Sequence, residues 1–525
     1  MDRLDKMNIT QKLEELLKYC SVYQGHVNMM DERRSDGGFQ VSMPEEKEIL
    51  DSLDTLQFIL LTGEAGDGKS RLIRALRSQL DAHGFCEPYM DFSAEPESEK
   101  EKIIQRIADI IDGRSGERIM VAANVGIFTK CVLKYQRPLM EKLGRKNDRV
   151  RIMNFEKRNL AGDKGVFEKI AQAFLAYDAS PCRNRECPHH KDCAFQANLD
   201  YLLSGPGMER VRVLCDAAFL MGEHITFRGL LSLLAYMVTF GESCRERRKQ
   251  KIQKDCFVED IFAQKNHSDK ILLQMSRMDP AFKNTADAAA ECQSIEECRK
   301  SRRKRFFYGQ ENPYELLAAD YLTRFQEVME FFRKEPFIDS AEIQDGGLYC
   351  VKRGLGRLTR RGQSDLAIKV ADTPLMLGDE IQTEFELGNI DMIWHRYGLD
   401  FQRLKEDRED SHLQEKQNRF AISYVYQKED GGIDAITLAV DYRLFCCLMM
   451  ADDGYLFQSS RSLEEYRIHS FYQKILQKKN RSYERMHVHF NGRDRNRFCD
   501  FSLSVQHINH FLKGQSTAVK IRKEG

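Results

Sequence analysis

The chain has 525 residues, with 81 lysines and arginines against 81 aspartates and glutamates. That zero balance excludes a polycationic tail that coats nucleic acid and an acidic solvating chain, while leaving room for a local basic surface. At 42 % hydrophobic and 31 % charged residues the chain can bury real cores, and at roughly 100–200 residues per domain it should hold about three.

Residues 8–30 and 44–55 read as polar-faced helices, and the apolar run 56–62 reads as a buried strand. Gly63 then opens a loop that ends in a helix, where Leu72, Leu76 and Leu80 form one apolar face. Further strands are expected at 89–92, 118–123 and 150–155, with helical stretches such as 102–111 between them. That alternation predicts an α/β sheet with crossover helices. After about residue 198 the pattern turns helical, at 199–203, 210–220, 227–240 and 313–332. From about 340 strand-like pieces at 435–440, 486–490 and 498–505 stand beside two helical stretches, which predicts a separate C-terminal α+β domain. The expected organisation is a helical segment at 1–45, an α/β core at 46–200, a helical region at 201–335 and the C-terminal domain at 336–525.

The opening residues lack the basic-then-apolar order of a secretory signal, and the most apolar stretch, 230–240, is too short to span a bilayer. The expectation is a cytoplasmic chain with no membrane contact. Its 15 cysteines are too dilute for a disulfide scaffold.

Gly63, Glu64, Ala65, Gly66, Asp67, Gly68, Lys69 and Ser70 fit G-x-x-x-x-G-K-[ST], the loop that cradles nucleotide phosphates, between a strand and a helix as the mechanism requires. Glycines let the backbone wrap the phosphates and turn its N–H groups toward them, and the following helix lends its positive end. Lys69 would reach the β and γ phosphates of ATP or GTP, and Ser70 would hold Mg²⁺. Asp91 is the best second carboxylate for the metal, the alternative being that its strand is the one preceding the usual metal-carboxylate strand, and Glu95 is a candidate for orienting water.

Residues 119–124 form an apolar strand ending in Asn124, and this segment looks like the AAA+ strand whose asparagine senses the γ phosphate. Asn124 could equally terminate the strand by capping the next helix. Arg228 opens the next helical lid and resembles the second AAA+ sensor, where a guanidinium couples nucleotide to lid closure; a solvated surface charge is the plain alternative. Arg158 reads as either an arginine finger or a salt-bridge residue. The fold expected from these resemblances is an AAA+-like P-loop NTPase core with a helical lid.

Cys182, Cys187, His189, His190 and Cys193 crowd into one short polar loop, 182–193. Three thiolates and one imidazole make a tetrahedral zinc set, so a structural Zn²⁺ knuckle is expected, although the spacing departs from C-x2-C.

The order of GEAGDGKS after a strand, VAANVG, a strand ending in MNFEKR, a loop containing CPHHKDC, and HITFRGLL resembles the DptF (DndF) family, the ATP-binding component of bacterial DNA phosphorothioation-dependent restriction. The resemblance covers about residues 45–240 by motif. It implies an ATPase that works with other restriction-system proteins in anti-phage defence, against DNA lacking the phosphorothioate mark.

Residues 245–254 carry six basic residues against one acidic, and residues 299–305 six against none. Such clusters can neutralise DNA phosphates, or simply form a solvated helix face. Arg493, Arg495 and Arg497 form a smaller cluster. No nuclease centre is expected. The acids at 365 and 379–386 lack a following Glu-x-Lys, and His487 and His489 share a strand face without a nearby Asp or Glu pair in sequence. Two alternatives stay open, a nucleotide-gated switch acting through protein contacts and a nucleotide-stabilised scaffold, and an oligomer is compatible with either.

Overall fold

The computed structural model describes residues 9–20, 41–144, 147–177, 192–244, 256–262, 275–283, 294–359, 367–368, 381–386, 392–397, 418–428, 432–454, 463–478, 485–490, 498–510 and 514–523. The chain divides into two compact units, residues 1–322 with 408–416, and residues 323–407 with 417–525.

In the first unit, α1 (Ile9–Cys20) and α2 (Pro44–Leu50) precede β1 (Phe58–Thr62), the glycine loop and α3 (Lys69–Ala82). Then follow α4 (Glu97–Ile111), β2 (Ile119–Ala123), α5 (Val125–Tyr135), α6 (Leu139–Leu143), β3 (Val150–Asn154) and α7 (Lys164–Leu175). The three strands are parallel in the order β2-β1-β3, with Leu60 opposite Val121 on one side and Ile152 on the other. Every residue of β1 and β2 is buried, as a parallel sheet covered on both faces requires.

The strands alternate between two cores. Phe58, Leu60, Ile119, Val121 and Ile152 pack with Ile103, Ile107 and Phe128, so α4 and α5 cover one face. Ile59, Leu61, Met120 and Met153 pack with Ile49, Leu72, Leu76 and Leu80, so α2 and α3 cover the other. The apolar spacing of the helix after the loop is thus the seam facing the sheet. The expected strand at 89–92 is reduced to one parallel bridge, Tyr89 to Val121. Asp91 stops it by accepting the Ser93 N–H at 2.9 Å and starting the one-turn helix Phe92–Ala94.

Helices α8 (Ala194–Leu203), α9 (Gly205–Leu220) and α10 (Phe227–Thr239) continue the unit. Helix α10 meets α1, where Cys20 Sγ lies 3.2 Å from Thr239 Oγ1. After them come α11 (Cys256–Asp260), α12 (Ile295–Tyr308) and the short α13 (Pro313–Leu316). The single helix expected at 313–332 is two helices, because Leu317 turns extended and Tyr321 takes a left-handed φ of 61°. The second of them, α14 (Leu322–Lys334), belongs from Thr323 onward to the second unit, where Phe332 stacks on Phe420 and Phe325 meets Phe445 at a tilt.

The second unit adds β4 (Phe337–Asp339), α15 (Gly346–Thr359), β5 (Ala367–Ile368), β6 (Ile381–Glu386), β7 (Ile393–Arg396), β8 (Arg419–Gln427) and β9 (Ile433–Asp441). It ends with α16 (Tyr442–Asp452), α17 (Leu463–Lys478), β10 (Arg485–Phe490), β11 (Phe498–His510) and β12 (Gly514–Lys523). Two antiparallel sheets result, β4-β7-β8-β9 and β12-β11-β10-β6-β5. Among the described residues no helix is long and apolar enough to cross a membrane.

Candidate functional site

Strand β1 is the middle of its sheet. The chain leaves it toward β2 and later returns to add β3 on the other side. In open α/β sheets ligands bind outside the carboxyl ends of the strands at such a reversal. The glycine loop stands at that spot, between Thr62 at the end of β1 and Lys69 at the start of α3.

Its backbone explains its composition. Gly63, Gly66 and Gly68 have φ of 150°, 96° and 89°, where side chains are rarely tolerated. A Cβ on Gly63 would stand 2.5 Å from Asp67 Oδ2, and one on Gly66 3.0 Å from Arg228 Cβ. Glu64 and Ala65 are exposed, whereas Asp67 is fully buried.

Asp67 pins the loop. One carboxylate oxygen accepts the Glu64 N–H at 2.6 Å, and the other lies 2.7 Å from His224 Nε2, on the segment entering α10. Its carbonyl accepts from Arg158 at 2.6 Å, and Arg158 also pairs with Glu45 at 3.2 Å. From the same segment as His224, the Arg228 N–H donates to the Gly66 carbonyl at 2.9 Å. The loop is therefore held from α2, from the turn after β3 and from the start of α10.

Lys69 Nζ donates to the carbonyls of Gly63 at 2.9 Å and Glu64 at 2.7 Å, folding its ammonium across the loop. Burial pushes this ammonium below the ordinary lysine range, opposed in part by the carboxylates of Asp67, Asp91, Glu156 and Glu64. Asp91 is thus near enough to act on Lys69. Glu95 acts instead on the Tyr89 phenol. Ser70 occupies the first turn of α3. A hydroxyl and a carboxylate are the hard oxygen donors that Mg²⁺ takes. Asn124 caps α5, its Oδ1 accepting the Gly126 N–H at 3.0 Å and the Ile127 N–H at 3.3 Å.

Beside the loop is a narrow cleft, partly open to solvent and lined by Met43, Glu45, Gly68, Arg71, Phe155, Arg158 and Phe227 among others. The Arg158 guanidinium lies 4.5 Å from the Phe155 ring centre and that of Arg71 5.6 Å from Phe227. Desolvation lowers the pKa of both arginines from the ordinary arginine value. Sequence reasoning missed Glu45, Glu156 and His224; His224 opens the HITFRGLL segment and carried the one available signal.

Of the cysteine loop, Cys182, Cys187, His189 and His190 lie outside the described residues, and Cys193 precedes α8 half-buried. No group of three or more metal-type ligands occurs among the described residues. Cluster 245–254 and Arg493, Arg495 and Arg497 also lie outside them.

Cluster 299–305 lies on α12 and is less free than its sequence implies. Arg303 pairs at 2.5 Å with Glu259 and with the fully buried Asp279, Arg305 pairs with Glu311 at 2.6 Å, and Arg302 donates to the carbonyls of Ala281 and Lys283. Lys300 and Lys304 are exposed. In the five-stranded sheet the register sets His487 opposite Glu384 on one side and Asp500 on the other, neighbours that the linear sequence hides.

No protein-family model, curated protein or solved structure matches the chain.

Proposed function

We infer that the chain binds a nucleoside triphosphate on the glycine loop, hydrolyses it, and serves as the ATPase component of a bacterial DNA restriction complex. The observation that carries the nucleotide reading is a loop with three positive-φ glycines at the carboxyl end of the central parallel strand, closed by Lys69 at the start of α3. Backbone N–H groups of the loop and the positive end of α3 would receive the phosphates. Lys69 would exchange two carbonyl partners for phosphate oxygens, and Ser70 and Asp91 would hold Mg²⁺, which supplies charge neutralisation on the phosphates. Arg228, whose N–H bonds the loop at Gly66, would link nucleotide occupancy to α10.

The choice of ATP and the restriction role rest on the resemblance of residues 45–240 to the DptF family. A structural Zn²⁺ at Cys182, Cys187, Cys193 and His189 or His190 belongs to the same reading, checked by elemental analysis of the wild type against Cys187→Ser.

The central test is Lys69→Ala. Binding of ATP should fall at least a hundredfold, read by equilibrium titration, and unchanged affinity rejects the reading. A second reading, in which the chain works through partner proteins and not DNA, draws support from the pairing of Arg303 and Arg305 with acids.

A further inference from the structure

The cleft beside the glycine loop contains a carboxylate whose hydrogen bonding is incomplete. Glu45 Oε1 accepts from Arg158 at 3.2 Å, but Glu45 Oε2 is buried with no hydrogen-bond partner among the described residues. Buried polar atoms are nearly always paired, and an unpaired one costs the full desolvation of the group, so an orphan acceptor lining a cleft needs a donor that the described residues do not supply.

Shape and walls limit what brings that donor. The cleft is narrow and partly open to solvent, so it does not enclose a whole small ligand. It suits one end of a molecule whose other end lies elsewhere. Gly68, the last glycine of the loop, and Arg71, one turn into α3, both line it, so the end that enters is attached to whatever the loop holds. The walls are planar groups, the rings of Phe155 and Phe227 with the guanidinium planes of Arg158 and Arg71 over them. Planar walls of this kind stack on a flat heteroaromatic ring.

We propose that Glu45 reads the nucleobase, its Oε2 accepting the exocyclic 6-amino group of adenine. This rests on the triphosphate reading of the glycine loop. A 6-oxo purine would turn a carbonyl oxygen toward the carboxylate and be rejected, and a purine with only hydrogen at position 6 would leave Oε2 unpaired. Arg158, which holds the other Glu45 oxygen and the Asp67 carbonyl, is the positioning residue that ties the base end to the phosphate end.

The test is equilibrium binding of ATP, purine riboside triphosphate, inosine triphosphate and GTP to the full chain, its Glu45→Ala variant and its Lys69→Ala variant. The wild type should bind ATP roughly tenfold or more tighter than the 6-hydrogen analogue, the size of one hydrogen bond to a charged acceptor. In Glu45→Ala that ratio should fall toward one. If the wild type binds all four alike and Lys69→Ala abolishes binding, the base assignment is overturned while the phosphate reading stands. A ratio that persists in Glu45→Ala, or tighter binding of GTP than ATP, also overturns it. If no triphosphate binds, or Lys69→Ala binds as the wild type does, the phosphate reading fails and takes this assignment with it. Should Glu45→Ala not fold, the wild-type ratio of ATP to the 6-hydrogen analogue decides alone.

Discussion

Two buried histidines separate the glycine-loop region from the sheet of the second unit. His395 donates and accepts through both ring nitrogens, Nδ1 at 2.8 Å from the Arg396 carbonyl and Nε2 at 2.8 Å from Ser423 Oγ, which meets Thr437 Oγ1 at 2.7 Å. This row crosses β7, β8 and β9 and is closed upon itself. His224 bonds Asp67 through Nε2, while its Nδ1 is buried without a hydrogen-bond partner among the described residues, as are Arg158 Nε and Glu45 Oε2 close by. A completed polar network rigidifies a core, whereas an incomplete one leaves buried groups that carry a desolvation cost. On the proposed function, the open positions around the loop are where a bound nucleotide would add partners.

The harshest way to break the comparison is Asp67→Ala. It strands the Glu64 N–H and His224 Nε2 together, so stability should drop by about 3 kcal/mol, read by urea unfolding, and triphosphate binding should vanish. The two histidines then sharpen it. His395→Ala should cost about 2 kcal/mol and leave triphosphate affinity unchanged. His224→Ala should weaken triphosphate binding by more than its stability loss explains; equal behaviour of the two variants would erase the distinction.

A pH series probes the loop further. Because burial lowers the Lys69 pKa, the folded free protein binds fewer protons there than the unfolded chain, so this group makes the protein more stable as pH rises toward the ordinary lysine value of about 10.4. Phosphate favours the charged ammonium, so triphosphate affinity should fall over the same alkaline window. Opposite slopes in melting temperature and affinity are the expected result, and a shared sign refutes the role of Lys69. Helix α12 offers one large effect and one small one. Arg303→Ala, which uncovers the buried Asp279, should cost about 3 kcal/mol. Arg305→Ala, in an exposed pair, should cost under about 1 kcal/mol. If α12 meets DNA, Lys300→Ala with Lys304→Ala should flatten the salt slope of binding by about two; an unchanged slope favours protein contacts.

What sequence made legible was local. The strand, the glycine loop and the helix lie within 27 consecutive residues of one another in pattern, from position 56 to 82, and each was readable from periodicity and motif. The order β2-β1-β3, which turns that loop toward a binding crevice, comes from pairings across the sheet that no window contains. Glu45 and Glu156 are hidden for the same reason, and His224 shows only as the first residue of HITFRGLL. The acids balancing α12 are hidden too, since Glu259, Asp279 and Glu311 all fall outside residues 299–305. Asp91 reads as the end of a strand because Tyr89, Met90 and Phe92 around it are apolar, and its side chain competes with the strand by bonding the backbone two residues on.

The bonds that complete the glycine loop span long stretches of chain, 91 residues from Asp67 to Arg158, 113 from Glu45 to Arg158 and 157 from Asp67 to His224. Contacts of such separation form only after the intervening loops have closed, late in folding. During synthesis a growing chain would therefore display the whole eight-residue motif long before it owned the site. A fragment ending ahead of residue 224 would carry the motif without its latch, so on the proposed function nucleotide capture would report that the chain as far as His224 had joined the loop.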